Sequence, residues 1–433
     1  MNDKIKKICK NYNIIVNCEF LDDDMFSHKL VDYYKNAVSR VKNDDSTYLE
    51  KITKIDRMMR KYIEDYNFSK KLKNSVDVSS IVASTVDLTD VVLDYAVSFS
   101  DKYEENIEEP VINTRWIWGD IMNELKIVFM GTPEFGLPTL KALNETYNVV
   151  GVACQPDRPS NRGEIKFSKI KEYALENNIK VFQPEKLEDE FTDILSLDPD
   201  IVITCAYGQF LPNDFLRYPK YGCINIHASL LPKLRGGAPI QRAIMQGHKE
   251  TGVTIMKTIA KMDAGDIILQ ERIPILDNDN AGTIHDKLSI LGKDLILKAI
   301  PKIVDGTATY TKQNESEATF GFTIKREDEK IDFHQTTREI INKIRSLTPW
   351  PGAYAMLSGK IVKIWNATYG NNYYSDAVAG QVVKLYDNGI GIKTENGEII
   401  ITELQLEGRK RMSADQFLNG VVNKDVLIGK VFE

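Results

Sequence analysis

What this chain lacks narrows it first. No apolar run approaches the roughly 18 residues that a membrane span requires, and the opening MNDKIKKICKNYN has no apolar core of a signal peptide. The expectation is a cytoplasmic protein with no membrane partner. Five cysteines (Cys9, Cys18, Cys154, Cys205, Cys223) stand without CxxC or CxxxC spacing. That argues against a zinc knuckle or a disulfide framework, and the thiols read as small buried hydrophobes in a reducing compartment. Internal repeats and low-complexity tracts are missing too. GTPEFG (131–136) is a glycine turn after a strand, but it lacks the G-x-G-x-x-G spacing that lets a backbone approach a pyrophosphate.

What is present describes a globular chain. Its 433 residues are 42% apolar and 27% charged, suited to about three domains. The net charge of -6 argues against nucleic acid, since phosphate binding shows as a basic footprint, yet it averages over domains. Residues 1–121 hold 18 basic and 22 acidic side chains, a balance of -4; residues 330–433 hold 13 and 11, a balance of +2. A polyanion contact therefore belongs in the second half.

Residues 1–121 are rich in Lys, Asp, Tyr and Asn. Ile52, Ile55, Met59, Tyr62 and Tyr66 recur at helical steps behind a Thr47/Glu50 capping box, and Phe26, Leu30, Tyr33, Ala37 and Val41 repeat the pattern. A small helical bundle is expected there. From Leu125 the pattern becomes strand-helix alternation: LKIVFMG (125–131), NVVGVAC (148–154), a helix near 168–177, KVF (180–182), DIVITCA (200–206), CINIHA (223–228) and GVTIMKTI (252–259). This predicts a doubly wound, mostly parallel sheet, with ligands outside the carboxyl ends of its strands. After a polar stretch, short alternating runs separated by Gly and Asn-Gly predict a small antiparallel β domain, a five-stranded barrel.

The segment GCINIHASLLPKLRGGAP (222–239) carries the chemistry. Asn225 and His227 stand two apart at the end of a strand, so they face the same side. A carboxamide and an imidazole converging there suit the polarisation of a carbonyl. Asp263, in Lys261-Met262-Asp263-Ala264-Gly265-Asp266, follows the next apolar strand and is the third partner. A carboxylate near the imidazole orients it and favours its protonated form, so that Asn225 and His227 both donate to an oxygen becoming negative. His28, His248, His285 and His334 have no comparable neighbourhood and read as structural.

From Met122 onward the chain resembles the methionyl-tRNA formyltransferase family. The resemblance rests on FMGTPEFG (129–136), QPDRPSNRG (155–163), AYGQFLP (206–212), GCINIHASLLPKLRGGAPIQRA (222–243), ETGVTIM (250–256), MDAGD (262–266), TPWPGAY (348–354) and GRKRMSADQFL (408–418). It implies transfer of a formyl group from the co-substrate 10-formyltetrahydrofolate to the amino group of methionine on initiator tRNA. No metal is expected. It further implies Asn225, His227 and Asp263 as the catalytic trio and Ser229, Leu230, Leu231 and Pro232 as a folate-binding loop. Contacts to tRNA are implied at Arg158, Arg162, Lys166 and Lys169 in the loop after the second strand, which departs from the family at Gly163-Glu164-Ile165-Lys166 by being less basic. Arg409, Lys410 and Arg411 form a second basic cluster. The fold implied is a Rossmann-like formyltransferase domain (122–306), a linker (307–328) and an OB-like β-barrel domain (329–433), preceded by the unmatched helical extension (1–121). A monomer is expected. Formyl transfer to a sugar-nucleotide or ribonucleotide amine, and a non-catalytic tRNA-binding relative, are the alternatives. The base that takes the amine proton stays open among Asp263, His227 and water.

Overall fold

The computed structural model describes residues 125–158 and 166–433. The helices expected at 26–41 and 47–66 lie outside the described residues.

The first sheet is built from β1 (Lys126–Gly131), β2 (Asn148–Ala153), β3 (Val181–Phe182), β4 (Ile201–Cys205), β5 (Cys223–His227), β6 (Glu250–Lys257) and β7 (Ile267–Pro274). Their order across the sheet is β3-β2-β1-β4-β5-β6-β7. Pairs from β3 through β5 are parallel, while β6 and β7 run antiparallel to their neighbours. The expected doubly wound sheet is present. Strand order reverses direction between β1 and β4, which opens a crevice at the carboxyl ends of the central strands. The β1 and β4 runs, IVFMG and IVITC, are buried throughout, as strands covered on both faces must be.

Helices α1 (Leu137–Thr146), α2 (Lys169–Glu176), α3 (Leu187–Leu195), α4 (Asn213–Arg217), α5 (Pro239–Met245) and α6 (Ala281–Val304) pack around this sheet. The longest, α6, starts where the Asn280 side chain accepts from the Thr283 amide at 3.0 Å, with the Thr283 hydroxyl accepting in return from the Asn280 amide. Ile284, Leu288, Ile296, Ala299 and Ile300 are fully buried along it; each of its large side chains contributes about 1.5–3 kcal/mol of transfer free energy. Gly292 lets α6 lie close under β5, since a Cβ there would sit 2.9 Å from Ile226. Ile226 points to the face opposite Asn225 and His227. The helix thus supports the site from behind.

The second sheet comprises β8 (Ala353–Leu357), β9 (Lys360–Tyr369), β10 (Val382–Tyr386), β11 (Gly389–Lys393), β12 (Glu398–Leu406) and the short β13 (Met412–Ser413). The order is β10-β11-β12-β9-β8, with β13 on β12, and every pair is antiparallel. The chain end links the two edges: Val382 N–H donates to Lys430 O at 2.8 Å, and Met356 and Glu433 exchange both backbone hydrogen bonds. Two helices absent from the sequence reading, α7 (Thr337–Ser346) and α8 (Ala414–Asn419), pack on this sheet. Helix α7 also packs on α5, and Arg242 of α5 pairs with Asp328 at 2.7 Å. Arg345 donates to Leu276 O and Asp279 O at 2.7 and 3.0 Å. Among the described residues, no helix is long and apolar enough to cross a membrane.

Candidate active site

Strand β5 ends in the crevice with Asn225 half-buried and His227 6% exposed. Its parallel neighbour β4 supplies Thr204, whose hydroxyl donates to Asn225 Oδ1 at 3.0 Å. With the carboxamide oxygen engaged, Nδ2 is the end that faces Asp263 Oδ1, at 3.5 Å. His227 Nε2 lies 3.0 Å from Leu234 O, and a carbonyl only accepts, so this nitrogen carries a proton. Nδ1 is therefore the ring nitrogen that can gain or lose one, and it stands 3.7 Å from Asp263 Oδ2.

Asp263 sits in the turn between β6 and β7. Its φ of 47° is left-handed, a conformation that costs an L-residue about 1–2 kcal/mol and that Asp tolerates better than most. The turn closes only because residue 265 is glycine: a Cβ there would fall 1.7 Å from Lys257 O. The Gly236 amide donates to Asp263 Oδ2 at 2.8 Å and fixes that carboxylate oxygen. Oδ1 keeps only the long contact to Asn225. The three side chains read from sequence thus converge, at 3.5 Å between Asn225 and Asp263 and 3.7 Å between His227 and Asp263.

The loop 229–232 lies beside them with an unequal distribution of exposure. Ser229 is 1% exposed and its hydroxyl donates to Lys233 O at 2.6 Å; Leu231 is 3% exposed. Leu230 and Pro232 remain half-exposed. The loop is pinned by Thr254, which accepts from the Leu231 amide at 3.2 Å and donates to Ser229 O at 2.6 Å, and by Gln270, which donates to Leu231 O at 3.0 Å. A cavity of about 210 Å³ flanks this loop, lined by Leu230, Leu234 and His248 among others, and none of Asn225, His227 or Asp263 lines it.

The basic residues are less uniform than their sequence suggests. Arg158 and Lys166 are exposed, Arg162 lies outside the described residues, and exposed Lys169 pairs with Glu172 at 2.6 Å. Lys171 is drawn inward onto Asp157 and Gln183. Burial pushes the Asp157 carboxyl up, but hydrogen bonds from Lys171 and Gln183 outweigh it and hold the group below its usual range. In the second sheet Arg409 and Lys410 are exposed, while Arg411 is bound to Glu403 and stacks over Trp365 at 5.0 Å. At the GTPEFG turn, a Cβ on Gly131 would lie 2.7 Å from Cys205 O, so this glycine serves strand packing. Cys154, Cys205 and Cys223 are buried and free; burial pushes the Cys205 and Cys223 thiols up to about 12. Among the described residues no cluster of three or more His, Cys, Asp or Glu is placed to hold a metal.

Several residues around the trio were not singled out from sequence: Thr204, Thr254, Gln270, Arg235 and Gln313. Arg235 is fully buried, donating to Gln313 Oε1 and to both Glu315 oxygens at 2.8–3.1 Å. LRGGAP contains Arg235, but its partners lie about 80 residues further on, and no local pattern links them.

The Formyl transferase description matches residues 125–300, and the Formyl transferase, C-terminal domain description matches 323–422. Methionyl-tRNA formyltransferase of Bacillus cereus (strain B4264) is 47% identical over 303 residues, spanning 68% of this chain and 96% of that protein. The chain belongs to the methionyl-tRNA formyltransferase family. The corresponding protein of Bacillus anthracis (strain CDC 684 / NRRL 3495) is 46% identical over the same length. A solved structure of HypX from Aquifex aeolicus, in a multiply substituted variant, is 20% identical and covers 69% of this chain and 48% of that one at a TM-score of 0.50. That likeness concerns the fold. The family regions begin at β1 and end after α8, so both sheets belong to them.

Proposed function

We propose that this chain transfers the formyl group of 10-formyltetrahydrofolate to the α-amino group of methionine on initiator tRNA. The observation that carries the proposal is the convergence of Asn225 Nδ2, His227 Nδ1 and the Asp263 carboxylate at the carboxyl end of β5, in a chain 47% identical to a methionyl-tRNA formyltransferase. The amine attacks the formyl carbon, the carbonyl π pair moves onto oxygen, and a tetrahedral intermediate forms. Asn225 Nδ2, and His227 Nδ1 when it carries a proton, donate to that oxyanion. The lone pair then re-forms the carbonyl, the bond to the folate nitrogen breaks, and tetrahydrofolate leaves with the proton the amine gave up. Asp263 Oδ1 suits the relay of that proton, because Oδ2 is committed to the Gly236 amide.

The Ser229–Pro232 loop fits a folate through half-exposed Leu230 and Pro232; the Ser229 and Leu231 side chains, and the backbone groups bonded to Thr254 and Gln270, serve the loop's own packing. Exposed Arg158, Lys166, Arg409 and Lys410 suit phosphate contacts that position RNA without reading its sequence. Phe320 and Phe322 stack with centroids 5.3 Å apart, are 46% and 59% exposed, and flank Gly321, which exchanges backbone hydrogen bonds with Arg235 and Ala238. They offer a flat apolar surface for an unpaired base. Residues 122–306, 307–328 and 329–433 are taken as catalytic domain, connecting segment and tRNA-contacting domain. The test is formyl transfer by purified protein from 10-formyltetrahydrofolate to methionyl initiator tRNA, beside a nucleotide-sugar amine. Product on the tRNA supports the proposal; product on the sugar alone overturns it.

A further inference from the structure

Two residues with left-handed backbones bracket His227, and both are held by one distant segment. Leu234 has φ of 59° and presents the carbonyl that His227 Nε2 meets; Asp263 has φ of 47° and presents the carboxylate that Nδ1 faces. Left-handed φ is a real outlier for a side chain as bulky as Leu, and such geometry persists only where surrounding bonds over-determine it. The connecting segment supplies those bonds. Thr319 Oγ1 accepts from the Leu234 amide at 2.9 Å, and Thr319 O accepts from the Arg235 amide at 2.9 Å. Gln313 Nε2 donates to Asp263 O and to Gly265 O, both at 2.8 Å. Its Oε1 accepts from buried Arg235, so one side chain ties the 234–236 turn to the Asp263 turn. Thr311 and Ile267 exchange backbone hydrogen bonds at 2.8 Å, and Gly321 pairs with Arg235 and Ala238. The segment is therefore bonded along its length to both loops of the site.

We propose that Gln313 and Thr319 are positioning residues for formyl transfer: by clamping the Asp263 and Leu234 turns they set the imidazole tautomer and the carboxylate position at His227. The inference rests on the proposed function, but the clamp itself has an activity-independent signature. Gln313→Glu keeps shape and the acceptor for Arg235 while losing both N–H donors to the turn. Thr319→Val removes the acceptor from an exposed side chain, and Thr319→Ser restores it.

In the full chain, Gln313→Glu and Thr319→Val are expected to lower kcat by about 10-fold or more, equivalent to about 1.4 kcal/mol of barrier. Thr319→Ser should stay within about twofold of the parent, and KM for the formyl donor within about threefold, since no clamp residue is assigned to folate. Nitrogen-15 spectra of histidine-labelled protein, with only five histidines present and His227→Ala for assignment, should show the His227 tautomer altered in Thr319→Val and parental in Thr319→Ser. Gln313→Ala, which removes both functions of the amide, should lose at least as much kcat as Gln313→Glu. The inference is overturned by an unaltered tautomer in Thr319→Val, or by an active parent whose Gln313→Glu and Thr319→Val forms keep more than half its kcat. A parent that transfers no formyl group to tRNA overturns the functional proposal instead, and the tautomer result still decides the clamp.

Discussion

At the residue scale, Asn225 and His227 were legible because a strand's two-residue period guarantees a shared face, whatever the rest of the fold does. Asp263 was legible as a carboxylate in a tight turn after the neighbouring strand. Neither rule could disclose that Thr204 orients the carboxamide or that the Leu234 carbonyl meets the imidazole, because a hydrogen bond across a sheet or back from a turn leaves no periodic trace in sequence. His227→Ala and Asp263→Ala should each lower kcat by about two orders of magnitude, the usual effect of removing a charge-stabilising or acid-base group. Steady-state rates on charged tRNA check this, and near-parental turnover in either variant contradicts the assignment. Glu315 yields a pH prediction. Hydrogen bonds from Arg235 and then Lys261 hold its carboxyl down to about 2 from the usual 4.5. A group whose folded value lies below its unfolded one stabilises above the unfolded value and loses that contribution as pH falls through the folded one. The stability gap between the parent and Glu315→Gln, measured by denaturant titration, should be constant at neutral pH, shrink between about pH 4.5 and 2, and vanish below. A gap unchanged across that range speaks against the ion pair.

At the scale of elements, strands β1, β2, β4, β5 and β6 were readable as apolar runs, and the hairpins of the second sheet from alternation around Gly and Asn-Gly. Helix α7 was not, although Thr336 and Glu339 form a capping box at its start: its run TREIINKIRS has few apolar residues and follows a polar stretch, ahead of the strands of the second sheet. The polar stretch 307–328 looked like a spacer because its composition is that of a loop. In the structure it is bonded to the site through Thr311, Gln313, Glu315, Thr319 and Gly321, and composition carries no sign of such pairing. Thr254→Val should loosen the 229–232 loop by removing a buried hydroxyl that makes three hydrogen bonds. A loss of about 1–3 kcal/mol is expected there, read as a KM for 10-formyltetrahydrofolate raised about 10-fold with kcat less affected. Gly265→Ala brings a Cβ against Lys257 O and should displace Asp263. Its kcat should fall at least as far as that of Asp263→Ala, and parental activity in it excludes the tight turn as a requirement.

At the scale of the whole molecule, the two family regions, residues 125–300 and 323–422, carry both sheets and begin beyond residues 1–121. Deleting residues 1–121 should leave formyl transfer within about threefold of the parent, since every group assigned to the chemistry lies beyond them. A folded but inactive truncation would make the extension part of the catalytic unit. The central claim is that Asn225, His227 and Asp263 act together on a folate-borne formyl group destined for tRNA. Its most direct test is a single-turnover assay of the parent and His227→Ala with 10-formyltetrahydrofolate and methionyl initiator tRNA, beside a nucleotide-sugar amine. The account predicts formyl-methionyl-tRNA from the parent, a rate about 100-fold lower in His227→Ala, and no formylated sugar. Equal rates in the two proteins, or formylation of the sugar alone, would contradict it.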